Sequence, residues 1–398
     1  MATTHVFIVD IYTFDIHLKY LFAGTGSGED KIDFNNSSET DLKGNTENKI
    51  VSMSADANRI RKNDKIIFYV QQKTSKNVSF KEGKFYGIFK AKEDYSFLDN
   101  NDGEQYLYNS ELSKNLFFRT LIEPDIIYPK GVTEWEALDS IRNIVDPYRM
   151  LWSLIYRKLK AHRGNSMITI YEFERLCQLI RSKNKRESLD VLNNELSFDI
   201  DKQEIITTNN PIKKYKGRKD EINLVPRLIK KYQDKKAFEP HLQSYIVQNI
   251  GKNINHSLDE NIIPENFEIE WIGNEVSCGV GMQRIDIALS LQNKDEDTKL
   301  FIPIELKAKE ADITNISQIN RYMDWIEEYY IPNRPSDIVP ILIAKKFKLN
   351  TEKRKEKYSN ITDSFIQFNQ KNEKLCNQLK YIEYEIKNNN LIFEKIDY

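Results

Sequence analysis

Three charged side chains on two short apolar runs are the best candidates for chemistry in this chain. Asp286 stands in RIDIALSL (284–291), and Glu305 and Lys307 stand in LFIPIELK (300–307). Both runs alternate, and a period of two sends successive side chains to opposite faces of a strand. Ile285, Ile287, Leu289 and Leu291 share one face, which leaves Asp286 with Ala288 and Ser290 on the other. Ile302, Ile304 and Leu306 share a face in the second run, with Glu305 and Lys307 opposite. If the two strands pair, the three charges converge on one side of a sheet. Two carboxylates with a nearby backbone carbonyl suit Mg²⁺, a hard ion that takes oxygen ligands and keeps waters. Such an ion acidifies bound water and stabilises charge on a phosphate oxygen. An ammonium beside it positions or helps activate the attacking water and neutralises developing charge. The plain competing reading is two surface strands with solvated charges. Pro303 stands against an undisturbed central strand, because it has no N–H for a ladder.

The spacing D-(x)18-E-L-K resembles the PD-(D/E)xK phosphodiesterase superfamily, and residues 238–345 are similar to a NucS-type nuclease domain. The residues that carry this are Glu239 in FEPHLQSYI, Asp286 after Gly281 and Arg284 in GMQRIDIAL, Glu305 and Lys307 in IELKAK, and Gln318 and Tyr322 in QINRY. The resemblance implies a restriction-endonuclease-like α/β domain in which Glu239, Asp286 and Glu305 hold Mg²⁺ and orient water. Lys307 assists that water, with Gln318 and Tyr322 in support. These last two are four apart, which places them together on one helix face.

The N-terminal half carries NDKIIFYVQ, KFYGIFKAKEDYSF and LFFRTLIEP, which resemble an EVE-type member of the PUA-like group. That resemblance implies a small β-barrel holding a nucleobase, often a modified one, and reading such a base requires flipping it from the stack. Tyr69, Tyr86, Phe89, Tyr95, Phe97 and Trp135 are the aromatic candidates for stacking, and Arg119 the candidate for phosphate or base. Each aromatic taken singly also reads as ordinary barrel core.

The 398 residues allow two or three domains with real cores. Net charge is −1, so the whole chain does not advertise a polyanion partner, although KKYKGRK (213–219) and RLIKKYQDKK (227–236) form a local basic stripe. Cys177, Cys278 and Cys376 lie far apart, which excludes a zinc knuckle and argues against a disulfide framework. No apolar run approaches a membrane span, and MATTHVFIVDIY lacks the basic segment of a secretory signal, so a cytoplasmic protein is expected. The histidines at 5, 17, 162, 241 and 256 have no ligand spacing. His241 reads as an exposed helix residue, Cys278 as buried, and Glu275 as a surface charge near the site. GTGSGED (24–30) lacks the lysine of a phosphate loop and reads, with the polar stretch to residue 49, as a loop.

The elements that must position these residues follow from periodicity. Strands are expected over 5–12, 59–71 and 84–94, and helices over 134–145, 147–160 and 168–184, with a linker over 200–221. A helix over 222–251, broken near Pro240, precedes strands at 267–279, 282–292 and 299–309. A helix over 315–331 with Ile316, Ile319, Met323, Ile326 and Tyr330 on one stripe then leads to a strand, a helix and a terminal hairpin. The expected fold is mixed α/β: a PUA-like recognition domain over 1–135, a helical segment and linker over 136–221, and the nuclease domain over 222–398. The expected activity is a Mg²⁺-dependent endonuclease of restriction type acting on double-stranded DNA as a homodimer. A NucS-like mismatch or branched-DNA nuclease is the alternative enzyme, and a modified-nucleic-acid binding module the alternative without catalysis.

Overall fold

Alternating apolar residues build the sheets of both halves of the chain. The computed structural model describes residues 3–26, 44–75, 78–80, 82–100, 103–139, 164–192, 194–236, 238–278, 283–330 and 338–398, with single residues at 142, 145 and 150. The expected helix over 147–160, most of GTGSGED and Gly281 lie outside the described residues. The chain divides into two units, one ending at Asn223 and one running from Leu224 to Tyr398. The fold is mixed α/β throughout.

In the first unit, β1 (Thr4–Val9) runs into helix α1 (Ile11–Tyr20), β2 (Phe22–Thr25) and α2 (Gly44–Asn58). The strand expected to reach residue 12 stops at Val9 because Asp10 caps α1, accepting the N–H groups of Tyr12 (2.9 Å) and Thr13 (3.0 Å). Residues 44–49 belong to α2 rather than to a loop. Strands β3 (Lys65–Val70), β4 (Lys73–Ser75), β5 (Val78–Phe80), β6 (Lys84–Ala91), β7 (Phe97–Leu98), β8 (Phe118–Ile126) and β9 (Val132–Thr133) follow, then α3 (Glu134–Asp139) and β10 (Asn165–Ile168). The main sheet has the order β10-β1-β3-β6-β8-β2, parallel between β1 and β3 and antiparallel elsewhere. Gly87 in β6 holds φ +64°, and a Cβ there would stand 2.4 Å from the Phe89 ring, so the strand irregularity beside it requires glycine. Helix α4 (Ile170–Lys183) starts at a capping box of Thr169 and Glu172.

Of the expected linker over 200–221, residues 204–211 are instead strand β12 (Glu204–Pro211), paired in a hairpin with β11 (Asn194–Asp199). Leu196, Phe198 and Ile205 of that hairpin are buried in the core with Phe14, Phe68 and Tyr86. The second half of β12, 207–211, is polar and unburied on both faces, which is why it read as part of a linker. Residues 165–223 therefore belong to the first unit and do not form a separate segment.

In the second unit, α5 (Val225–Gln233) and α6 (Glu239–Asn249) are separate helices. Lys235, at φ +56°, ends the first, and Pro240 occupies the first turn of the second, where no N–H is needed. After α7 (His256–Ile262) come β13 (Phe267–Ser277), β14 (Arg284–Asn293), β15 (Lys299–Lys307), α8 (Thr314–Trp325), β16 (Ile341–Lys345), α9 (Glu352–Lys371), β17 (Lys380–Lys387) and β18 (Asn390–Ile396). The sheet order follows the sequence, β13 to β18, antiparallel at both ends and parallel through β15-β16-β17. One face, with Ile287, Leu289, Ile304, Leu306, Ile341 and Ile343, packs on Leu242, Ile246 and Ile250 of α6. Each such side chain contributes about 1.5–3 kcal/mol when fully buried. The opposite face carries α8, whose Ile316, Ile319 and Met323 are buried. The side chain of Tyr330 lies outside the described residues. Pro303 sits inside β15 opposite Ala288, one residue before the parallel ladder to β16 begins at Ile304.

Candidate active site

The carboxylates stand where two strands part. The β14–β15 ladder has Ile287–Ile304 as its last pair, and Asp286 and Glu305 are the next residue on each strand. There Asp286 Oδ2 accepts the Leu306 N–H at 2.8 Å. Gln243 of α6, which the sequence did not single out, donates to the Asp286 carbonyl at 2.8 Å and ties the strand to the helix beneath it. Glu305 is 1% exposed, whereas Asp286 keeps partial exposure.

Tyr322 of α8 reaches the same point from above. Its hydroxyl oxygen lies 2.6 Å from Glu305 Oε2 and 2.7 Å from the Arg284 carbonyl, and it accepts from Gln318 Nε2 at 2.9 Å. With one hydrogen, the phenol donates to one of its two acceptors at a time. Gln318 fills the acceptor side and leaves that hydrogen for the carboxylate or the carbonyl. Lys307 forms an ion pair with Glu305 Oε1. Glu239, at the start of α6, accepts the Ala308 N–H at 3.4 Å and so stands at the end of β15. The six residues named from the sequence are thus gathered around the ends of β14 and β15.

The electrostatics follow from this crowding. Burial, and then the neighbouring Glu305, push the Asp286 carboxyl well above its ordinary range. Burial also raises Glu305, opposed by the charge of Lys307 and the Tyr322 hydrogen bond. Burial disfavours the Lys307 ammonium, but Glu305, Glu239 and Asp286 outweigh it and raise its pKa, so Lys307 is a charged donor and not a proton acceptor at neutral pH. Burial and then the carboxylates hold the Tyr322 phenol neutral, far above its usual value.

Two close carboxylates that resist ionising together call for a cation. Glu305 Oε1 has Lys307 as its ionic neighbour but no aligned hydrogen-bond donor. No group of three or more His, Cys, Asp or Glu able to hold a metal lies together among the described residues. Mg²⁺ needs no such cage, since it binds through one or two carboxylates and retains waters. Asp286 and Glu305 fit it, while Glu239 is not part of a three-carboxylate cluster.

The neighbouring residues take structural parts. Glu275 forms an ion pair with Arg284. Cys278 is buried, and its N–H donates to the Gln283 carbonyl at 3.0 Å. His241 is fully buried within α6, so the expectation of an exposed histidine is corrected. Its position follows from the inward turn of the helix.

In the first unit most of the aromatic candidates are core. Tyr86 and Phe89 lie in the hydrophobic cluster around Phe68, Tyr69 packs at 5.0 Å on Phe85, and Phe97 is fully buried. The Tyr69 and Tyr86 hydroxyls are used internally, by Glu134 and by the Gln203 carbonyl. None of these four rings is free to stack on a base. Only Tyr95 and Trp135, 46% and 62% exposed, present a face to solvent. Arg119 is buried against Asp99 at 3.0 Å and donates to the carbonyls of Leu116 and Tyr106, so it is a fixed internal cation. The basic stripe is also divided: Lys213, Arg218 and Lys219 pair with Glu195, Asp99 and Glu93 in the first unit.

A cavity of about 380 Å³ in the first unit is lined by polar residues that the sequence reading passed over, among them Asp10, Thr13, His17, Gln71 and Asn115. His17 Nδ1 lies 2.9 Å from the Phe22 carbonyl, which can only accept, so Nδ1 carries the hydrogen and Nε2 is an acceptor. Burial lowers the His17 pKa to about 3, which keeps the ring neutral. Leu116 N–H donates to Gln105 Oε1, so Gln105 Nε2 donates to Asn115 Oδ1 and the Asn115 amide donors face away. His17 Nε2 and Asn115 Nδ2 are both buried without a hydrogen-bond partner. Gly26 at the same cavity admits no side chain, since a Cβ would stand 2.0 Å from the Asn115 carbonyl oxygen. No spacing in the sequence links positions so far apart.

No helix among the described residues is long and apolar enough to cross a membrane. No family model and no curated protein matches the chain. Among solved structures, the human THYN1 protein in complex with 5-methylcytosine-containing DNA is similar over 45% of this chain and 97% of its own length, at 9% identity and a TM-score of 0.25.

Proposed function

We propose that this protein is a Mg²⁺-dependent DNA endonuclease of restriction type, in which the second unit hydrolyses a phosphodiester bond and the first selects the site. The observation that carries the reading is the pair Asp286 and Glu305, two crowded carboxylates on adjacent strands with Lys307 and the Tyr322–Gln318 pair beside them. A solvated surface charge does not come with this support. The pattern is that of the PD-(D/E)xK nucleases which the sequence resembles.

Asp286 and Glu305 would hold the Mg²⁺, which supplies Lewis-acid stabilisation of phosphate charge and a more acidic water. Tyr322 fixes the Glu305 carboxylate through its hydroxyl, and Gln318 fixes Tyr322. Lys307, charged, donates to the attacking water or to a phosphate oxygen and offsets charge that develops there. Glu239, at the end of β15, orients water at the edge of the site. One site per chain cuts one strand, so cutting both strands takes a homodimer.

The cavity in the first unit supports site selection by an extruded base. His17 and Asn115 line it, and the buried acceptor His17 Nε2 and donor Asn115 Nδ2 have no hydrogen-bond partner in the protein. That pair complements an amino group beside a ring nitrogen, as on the pairing edges of cytosine and adenine. A flipped base satisfies two buried atoms that otherwise each cost about 1–3 kcal/mol.

The test is cleavage of matched unmodified, 5-methylcytosine and 5-hydroxymethylcytosine duplexes in Mg²⁺ and in EDTA, with Asp286→Ala as control. The expected result is Mg²⁺-dependent discrete fragments, reduced roughly 10³-fold or more in the variant by loss of charge stabilisation. Fragments from modified DNA alone identify a modification-dependent enzyme. Preference for mispaired duplexes would favour the NucS-like alternative. Duplex binding without any cleavage would leave a binding module.

A further inference from the structure

Beyond the catalytic residues, the same end of the sheet carries positive charge that the protein does not neutralise. Lys345 closes β16, one residue past Ala344, which is the register partner of Lys307. Its backbone N–H donates to the Lys309 carbonyl at 3.0 Å, so the ends of β15 and β16 are held together here. Its ammonium lies 3.9 Å from the centre of the Tyr232 ring, on α5, a placement that fixes a long side chain without neutralising it. Burial, and then the charge of Lys348, lower the Lys345 pKa, opposed by Glu310, with Lys235 adding to the lowering.

The carboxylate nearest this group is already committed. Glu310 takes two hydrogen bonds from Arg354 Nη2 and the backbone N–H of Lys348. Among the described residues, Lys235, Lys309, Lys345 and Lys348 form no ion pair, whereas their neighbours Lys230, Lys236, Lys346 and Lys357 each do. Lys235, Lys309 and Lys348 are exposed. An anion of extended shape offsets the repulsion that Lys348 and Lys235 exert on Lys345.

We infer that Lys235, Lys309, Lys345 and Lys348 form a clamp for the DNA phosphates that flank the scissile bond on the β15–β16 side of the site. The inference rests on the nuclease reading for the identity of the anion. The distribution of the four lysines over the ends of α5, β15 and β16 suits an extended phosphate backbone better than a single small anion. Lys345, fixed by Tyr232 on the α5 side of the sheet one residue past the register partner of Lys307, holds the flanking backbone at the strand end that carries the reacting phosphate. It is a positioning residue.

The experiment measures binding of a duplex of about 20 base pairs to the full-length protein by fluorescence anisotropy, in Ca²⁺, across a salt series. Each ammonium–phosphate contact contributes about 0.9 to the slope of log affinity against log salt, equivalent to an affinity loss on the order of tenfold per contact near 0.1 M salt. The Lys235→Gln/Lys345→Gln/Lys348→Gln variant is expected to lower that slope by about 2 to 3. Lys235→Gln/Lys348→Gln leaves the Lys345–Tyr232 packing intact and is expected to lower it by about 1 to 2, so a folding defect in the triple variant does not decide the matter. Lys371→Gln, at the exposed far end of α9, is the control for general charge. An unchanged slope in both variants overturns the clamp, even if the wild type cleaves DNA. Reduced slopes in both variants, with a wild type that binds duplex but never cleaves in Mg²⁺, support the clamp and overturn the nuclease. A wild type that binds no duplex overturns both.

Discussion

Neutralising Asp286 should make the metal-free protein more stable while it abolishes cleavage. Asp286→Asn keeps the side-chain shape and an oxygen able to accept the Leu306 N–H. What it removes is a negative charge crowded against Glu305 in a site that desolvates both. Folding raises the Asp286 pKa above its unfolded value near 4. As pH climbs between those two values, the unfolded chain has lost a proton that the folded chain still holds, so stability falls with rising pH and then levels. Every unit of that rise costs about 1.4 kcal/mol once pH is above both values. The substitution removes the cost and also relieves Glu305. A gain of about 1–3 kcal/mol is expected near pH 7–8 in EDTA, in the range seen when buried charge is replaced by neutral groups. For a unit of this size, that is a rise in Tm of about 2–4 °C per kcal/mol. Mg²⁺ narrows the difference. A ligand at about ten times its Kd stabilises the wild type by about 1.4 kcal/mol, and the variant loses that increment. The assay is thermal unfolding of the full chain from pH 5 to 8, with and without Mg²⁺. A variant less stable than wild type in EDTA at pH 7–8, with its Mg²⁺ increment intact, would refute the argument that these carboxylates are a cation site.

Two further substitutions test the parts around the carboxylates. Tyr322→Phe leaves Glu305 Oε2 and the Arg284 carbonyl without their donor, at about 1–2 kcal/mol in stability and roughly a 10–100-fold loss in cleavage rate, measured by denaturant titration and single-turnover kinetics. An unchanged rate would remove Tyr322 from the site. Leu289→Ala, in the core between β14 and α6, is expected to cost about 2–5 kcal/mol in unfolding free energy, and a cost under about 1 kcal/mol would contradict the close packing of that face.

Much of the candidate site was legible because its grammar is local. Period-two alternation assigned Asp286, Glu305 and Lys307 to one sheet face, and the i,i+4 spacing joined Gln318 to Tyr322. Both assignments depend on geometry that repeats within a few residues. The failures came where one composition serves two environments. Tyr86, Phe89 and Phe97 have the chemistry of a stacking platform, yet they are buried in the core of the first unit, because an aromatic ring buries as favourably against a neighbour as against a base. Arg119 looked like a free cation and is buried on Asp99. Strand β12 looked like part of a linker because its second half, 207–211, is polar and unburied on both faces.

The sequence by itself determined the mixed α/β class, most of the elements of the second unit, and which side of β14 and β15 bears charge. Those follow from patterns whose range is a strand or a helix turn. The tertiary structure alone decided that Asp286 and Glu305 meet just past the last ladder pair, that Gln243 holds that strand from below, and that Lys345 comes to rest on the Tyr232 ring. It also brought Asp10, His17 and Asn115 to one cavity. These are contacts between segments tens to a hundred residues apart, and they are set by sheet order and packing, which no short-range pattern encodes.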